Sequence, residues 1–234
     1  MAARTDPRRT APEDRPEVAL SAVRSGRADL ATIAAAARGC RACALWEHAT
    51  QTVFGEGPER AGIMLIGEQP GDAEDLAGEP FVGPAGRILD QVLDEAGLDR
   101  ESIFVTNVVK HFKWRPSPGG KRRLHERPNR AEVAACKPWV DAEILAIRPG
   151  GIGLLGATAA QAMLGASFSV TRDHGRVERP ELADLVVATI HPSAVLRSRD
   201  ATERQEKLAG LVADLRLLAA VPREAARPAL DRPA

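Results

Sequence analysis

Ile63-Met-Leu-Ile-Gly-Glu-Gln-Pro-Gly-Asp72 is the segment on which the fold turns. Four apolar residues run without a break into a glycine, two polar residues and a Pro-Gly turn. A short run that is apolar at every position, not at alternate ones, is expected of a strand buried on both faces. Three further runs read the same way: Ile103-Phe-Val-Thr-Asn-Val-Val109, Gly151-Ile-Gly-Leu-Leu-Gly156 and Leu185-Val-Val-Ala-Thr-Ile190. Helical stretches are predicted near 16–38, 84–97, 130–147, 157–164 and 202–219, with Gly97 where a helix should stop. Strands alternating with helices imply an α/β fold with a parallel sheet. Ligands in such sheets bind at the carboxyl ends of the strands. Glu68 to Asp72, Lys110-His111, Gly156-Ala-Thr158 and His191-Pro-Ser193 come immediately after the four runs, so polar groups gather on one rim. There is no internal repeat.

The chain has 234 residues, enough for one domain with a full core. Residues 16–220 are expected to form it, with Pro- and Arg-rich tails at 1–15 and 221–234. Lys plus Arg and Asp plus Glu both total 32, so any affinity for a polyanion must be local. Between Lys110 and Arg130 stand eight Lys or Arg residues against one acid, Glu126. That stretch is a candidate electrostatic footprint for nucleic acid. No run is long enough to span a bilayer, and the first residues lack the apolar centre of a signal peptide. A cytoplasmic protein is expected, and the default is a monomer. Three cysteines in a reducing compartment argue against a disulfide framework.

Each motif has an ordinary reading beside the functional one. Glu68-Gln-Pro-Gly-Asp72 could shape a pocket or be a plain strand-to-helix turn; without a Gly-Lys-Ser/Thr ending it is no phosphate P-loop. Phe81, between Pro80 and Gly83, could stack on a flat ring or tuck into the core edge. Cys40-Arg-Ala-Cys43 has metal-ligand spacing, with Cys136 far downstream, but three cysteines are one ligand short of a closed site. His111 and His48 compete for the fourth place, and inert buried cysteines remain the alternative. Lys121-Arg-Arg-Leu-His125, between Ser117-Pro-Gly-Gly120 and Pro128, could be a solvated basic loop. It could also be a flexible loop whose terminal histidine reaches a pocket while its arginines hold a polyanion. His191 could be a satisfied strand-end residue, yet it falls on the same rim.

Taken together, these motifs resemble the uracil-DNA glycosylase superfamily, and most closely its iron–sulfur branch and the UdgX class. The likeness runs from about Cys40 to Leu218. Gly67-Glu-Gln-Pro-Gly-Asp72 matches its first motif and His191-Pro-Ser193 its second, while Lys121-Arg-Arg-Leu-His125 matches the UdgX insert, with Leu124 where Ile is usual. The resemblance implies a three-layer α/β/α fold around a four-stranded parallel sheet, with uracil-containing DNA as partner. It also implies a [4Fe–4S] cluster on Cys40, Cys43, His111 and Cys136, His111 standing where related proteins have a cysteine. Iron can accept an imidazole ligand.

By the same resemblance, Gln69, Asp72, Phe81, Asn107 and Arg123 would bind substrate, and Lys121, Arg122 and Ser193 would bind DNA. Phe81 would stack on the flipped uracil and Asn107 would read its polar edge. His191 would donate toward the uracil oxygen that gains charge as the glycosidic bond breaks. His125 would attack C1′ as a neutral imidazole. Arg122, Arg123 and Arg127 are expected to lower its pKa, and Glu68 to take its other ring proton or else to activate water. Two alternatives stand beside this expectation: a turnover glycosylase using water, and a non-catalytic iron–sulfur or zinc module that binds single strands.

Overall fold

A computed structural model describes residues 15–224. The four apolar runs form strands β1 (Ile63–Gly67), β2 (Ile103–Asn107), β5 (Gly151–Leu155) and β7 (Leu185–Thr189), paired in parallel in the order β2-β1-β5-β7. A fifth, three-residue strand, β6 (Gly175–Val177), adds antiparallel to β7 at the edge. It was not expected, because three residues carry too little pattern to read. Two more short strands, β3 (Trp114–Pro116) and β4 (Arg123–His125), make a separate antiparallel hairpin.

Eight α-helices surround the sheet among the described residues: α1 (Pro16–Arg24), α2 (Leu30–Ala37), α3 (Asp72–Ala77), α4 (Pro84–Ala96), α5 (Arg130–Ile147), α6 (Ala157–Leu164), α7 (Ser193–Leu196) and α8 (Ala201–Arg216). Every residue of β1, β2 and β5 is buried, as the unbroken apolar runs require. Leu89, Val92 and Leu93 of α4 pack with Leu211 and Leu215 of α8 on one face. Val140 and Ile144 of α5 pack with Ala159 and Ala160 of α6 on the other. The expected three-layer α/β/α architecture is therefore present, with its four parallel strands and one added edge strand. The predicted helix 16–38 is two helices. Gly26, at φ 67°, leaves the helical region after α1, and the Asp29 side chain caps α2 by accepting the Thr32 N–H at 2.8 Å. Gly97, at φ 75°, ends α4 as predicted.

Both expected tails lie largely outside the described residues. Of the second, 221–224 run beside the start of β1, where Gly62 N–H donates to the Arg223 carbonyl at 2.7 Å. Among the described residues no helix is long and apolar enough to cross a membrane.

Candidate active site

The carboxyl ends of β1 and β2 lie side by side, with Gly67 opposite Asn107. Asn107 is buried, and its Oδ1 has no hydrogen-bond partner among the described residues. Such an atom costs about 1–3 kcal/mol unless something donates to it, so it marks where a ligand's N–H would fit. A Cβ at Gly67 would run into both Asn107 Oδ1 and the Phe81 ring; glycine there lets both approach the strand closely. Phe81 sits at φ 60°, in the left-handed region. For a bulky residue this costs about 1–3 kcal/mol and persists only when its surroundings impose it. Glu74 supplies part of that imposition: its carboxylate accepts Gly83 N–H at 2.9 Å and Gly71 N–H at 3.1 Å, joining the turns on either side of α3 and Phe81.

His191 completes the pocket, its ring 6.1 Å from that of Phe81 at an interplanar angle of 27°. Its Nδ1 accepts the Ser193 N–H at 3.2 Å. A backbone amide can only donate, so the ring proton is on Nε2. Burial, with the Arg197 and His125 charges adding to it, pushes its pKa down to about 4. A neutral imidazole thus presents one N–H. The Ser193 hydroxyl lies 2.8 Å from His191 Nδ1 and accepts from Arg197 Nη1 at 2.9 Å. The group expected to meet DNA is engaged in holding this tautomer.

The His125 region differs from its expectation. His125 lies on β4, paired with Trp114 at the base of the hairpin, not at the tip of a flexible loop. Side chains clamp that base. Gln69 accepts Lys113 N–H at 3.1 Å and donates to the carbonyls of Lys113 at 3.2 Å and Glu126 at 3.0 Å. Arg123 bonds Asp72 and Asp75, both at 2.5 Å, and lies over the rings of Phe112 and Trp114. Trp114 Nε1 donates to the His48 carbonyl at 2.9 Å. Three residues expected to bind substrate, Gln69, Asp72 and Arg123, are thus committed to holding the hairpin. Lys121 and Arg122, on its turn, are exposed.

His125 Nε2 stands 2.9 Å from Gln69 Nε2 and 3.6 Å from Glu68 Oε1. The amide nitrogen can only donate, so the lone pair is on Nε2 and the proton on Nδ1. Gln69 has two amide hydrogens for three acceptors, which ties that lone pair only in part. Glu68 was expected to take the other ring proton; it lies on the Nε2 side and acts there by charge. The His125 pKa is lowered, first by burial and then by Arg197, against the opposing charges of Glu68 and Glu74. The direction matches the expectation, but the cause is not the neighbouring arginines.

Among the described residues no three His, Cys, Asp or Glu groups are close enough to chelate a single metal ion. A [4Fe–4S] cluster spreads its ligands more widely, and the chemistry of the donors present suits one. Cys40, Cys43 and Cys136 carry free thiols in one apolar cluster. Trp139 Nε1 points at Cys40 Sγ and Lys110 N–H at Cys136 Sγ, both at 3.2 Å. Burial raises the Cys136 thiol to about 12, so a thiolate there needs positive charge beside it. His111 is buried and neutral, its pKa pushed down by burial to about 4. The Thr52 hydroxyl donates to Ala37 O at 3.0 Å and therefore accepts from His111 Nε2, 2.9 Å away, leaving the Nδ1 lone pair for a ligand bond. His48 is exposed and fits less well.

The sequence set Thr158 on the rim without a role, and there it donates to Glu68 Oε2; it assigned none to Asp75 either, the buried partner of Arg123. Only their position after a strand or turn could have pointed to them.

A sequence model described as the uracil DNA glycosylase superfamily matches residues 54–216, which include Glu68, Asn107, His125 and His191 but not Cys40 or Cys43. A type-4 uracil-DNA glycosylase from Sulfurisphaera tokodaii is 39% identical over 165 residues, covering 67% of this chain and 71% of the relative. The protein of that name from Thermotoga maritima is 39% identical over 161 residues, 68% and 79% of the two chains. That from Archaeoglobus fulgidus is 38% identical over 174 residues, 71% and 83%.

Proposed function

The chain belongs to the uracil-DNA glycosylase superfamily, and on that premise we propose that it excises uracil from DNA and remains covalently joined through His125 to C1′ of the abasic sugar, as in the UdgX class. The observation that carries the excision is the buried Oδ1 of Asn107, without a partner among the described residues, beside Phe81 and Gly67. Uracil N3–H donates where this oxygen accepts, and the amide's other end donates to O4. A base inside a duplex cannot reach this depth, so the nucleotide must be unpaired or flipped. Phe81 then stacks on the ring, and His191 Nε2–H points to the uracil oxygen that becomes negative. A preorganised donor at developing charge is typically the largest single contribution to such a reaction.

The second half belongs to His125. Its Nε2 electron pair forms the bond to C1′ as the pair of the glycosidic bond leaves with uracil. The carboxylate of Glu68, 3.6 Å from Nε2, offsets the charge that arises on the sugar and then on the ring. The Nδ1 proton passes to water. Lys121 and Arg122 neutralise DNA phosphates. Cys40, Cys43, His111 and Cys136 would hold a [4Fe–4S] cluster, which would order the packing of α5 and the loop after β2.

One gel tests the proposal. A uracil-containing single-stranded oligonucleotide should give a protein adduct that survives denaturation. An abasic product with turnover would replace the covalent step by water, and reversible binding alone would remove the catalytic reading altogether. Iron content and visible absorption of the purified protein test the cluster separately; stoichiometric zinc would exclude it.

A further inference from the structure

Thr158 belongs neither to the strand-end pocket nor to the hairpin, yet it joins them. It lies in the first turn of α6, behind β5, and is buried. Chain order runs from β1 outward to β2 and then back to β5 on the other side of β1. The gap between the carboxyl ends of β1 and β5 is therefore the switch point at which open α/β sheets bind ligands. Glu68 and Thr158 bridge that gap.

The direction of every hydrogen bond here is fixed. Arg127 Nε donates to Thr158 Oγ1 at 3.1 Å, and its Nη2 donates to Gln161 Oε1 at 3.3 Å on the same helix. A guanidinium cannot accept. The hydroxyl proton of Thr158 therefore goes to Glu68 Oε2. The other carboxylate oxygen, Oε1, is left facing His125 Nε2. Arg127 Nε stands 3.9 Å from Glu68 Oε2 and would be the alternative partner if the hydroxyl were absent. Without the hydroxyl the carboxylate is no longer fixed on the Oε2 side, and the placing of Oε1 against the imidazole is lost with it.

We propose that Thr158 is a positioning residue, which together with Arg127 sets the Glu68 carboxylate against the cation formed when His125 is alkylated. The inference rests on the covalent reading above. Glu68 gains and loses no proton in that step; its place, held by Thr158, is what matters.

Single-turnover reactions on a uracil-containing single-stranded oligonucleotide give the adduct formed per uracil released. Thr158→Val and Thr158→Ala should each lower that ratio about tenfold, equivalent to about 1.4 kcal/mol at the transition state. Thr158→Ser, which keeps the hydroxyl, should restore it to within about twofold. In a Glu68→Gln background Thr158→Val should change nothing further, since coupled residues are not additive. Alanine is a good helix former, so α6 survives in at least that variant, and melting temperatures verify it. An undiminished ratio in folded Thr158→Ala overturns the inference and leaves the covalent reading standing. The same tenfold loss in the Glu68→Gln background also overturns it, because the hydroxyl would then act elsewhere. No adduct from the unaltered protein overturns the covalent reading and the inference with it.

Discussion

The strand-end pocket and the β3–β4 hairpin face the same space but are built by different means. Asn107, Gly67 and His191 stand on or just after strands whose neighbours are buried on both sides, so the backbone ladder itself places them. His125 stands on a three-residue strand outside the main sheet, held by side chains from outside the hairpin, Gln69, Asp72 and Asp75, and by the rings beneath Arg123. A ladder of backbone bonds is insensitive to any one side chain. A clamp of side chains is not. Excision should therefore tolerate changes in the hairpin, while adduct formation should not.

The largest effect is expected at the proposed nucleophile. His125→Ser should abolish the denaturation-resistant adduct, because no imidazole lone pair remains near C1′. Uracil release, which the proposal assigns to His191 and Asn107, should persist, with water completing the reaction. A full-strength adduct in this variant would remove His125 from the chemistry. Next is the pocket. Asn107→Asp loses the amide donor and brings a negative charge beside uracil O4, so excision should fall about 100-fold, the usual cost of one such donor. Unchanged excision and selectivity would show that Asn107 serves only the strand end.

These two regions were also unequally legible in the sequence. Unbroken apolar runs marked out the four parallel strands, and residues placed just after a buried strand fall on a rim, so Glu68 and His191 could be picked out; Asn107 came only from the family resemblance, because the second run was read on to Val109 while β2 ends at Asn107. The hairpin could not be read, because β3 and β4 are short, polar and separated by Pro- and Gly-rich residues. Its support is also non-local: Arg123 reaches back 51 residues to Asp72, and Gln69 forward 57 to Glu126. A charge run seen in isolation looks solvated, and nothing local to Arg123 shows that two acids wait for it. The expected role of the arginines in the pKa of His125 was displaced for the same reason. Arg123 is neutralised by its acids, and the cation that lowers the histidine is Arg197, far along the chain.

That difference gives the third test. Arg123→Gln removes both ion pairs and leaves the buried Asp75 carboxylate, among the described residues, with the Thr50 amide alone. Loosening of the hairpin by about 1.4 kcal/mol would reduce the adduct rate about tenfold. Uracil release should change by less than about twofold, since the contacts of Arg123 among the described residues are with Asp72, Asp75, Thr50, Phe112 and Trp114 and not with the pocket. Equal losses in both rates would mean that the hairpin and the pocket move as one unit and that the contrast between them is unfounded.

The smallest expected effect concerns pH, and it sharpens the comparison without changing a residue of the clamp. Only neutral His125 has a lone pair to give, so adduct formation is lost as pH falls through its pKa. Burial lowers that pKa below the usual 6.5, so the midpoint of the loss lies below that point. Between pH 8 and 6.5 the single-turnover adduct rate should fall by less than the roughly twofold expected of an unperturbed histidine. Removing the opposing Glu68 charge, in Glu68→Gln, should move the midpoint further down, whereas Arg197→Gln should move it up. Rate profiles from pH 5 to 8 for the three proteins decide the matter. A midpoint above 6.5 in the unaltered protein, or a shift in Glu68→Gln toward higher pH, would show that His125 is not held in the half-exposed niche between Gln69 and Glu68.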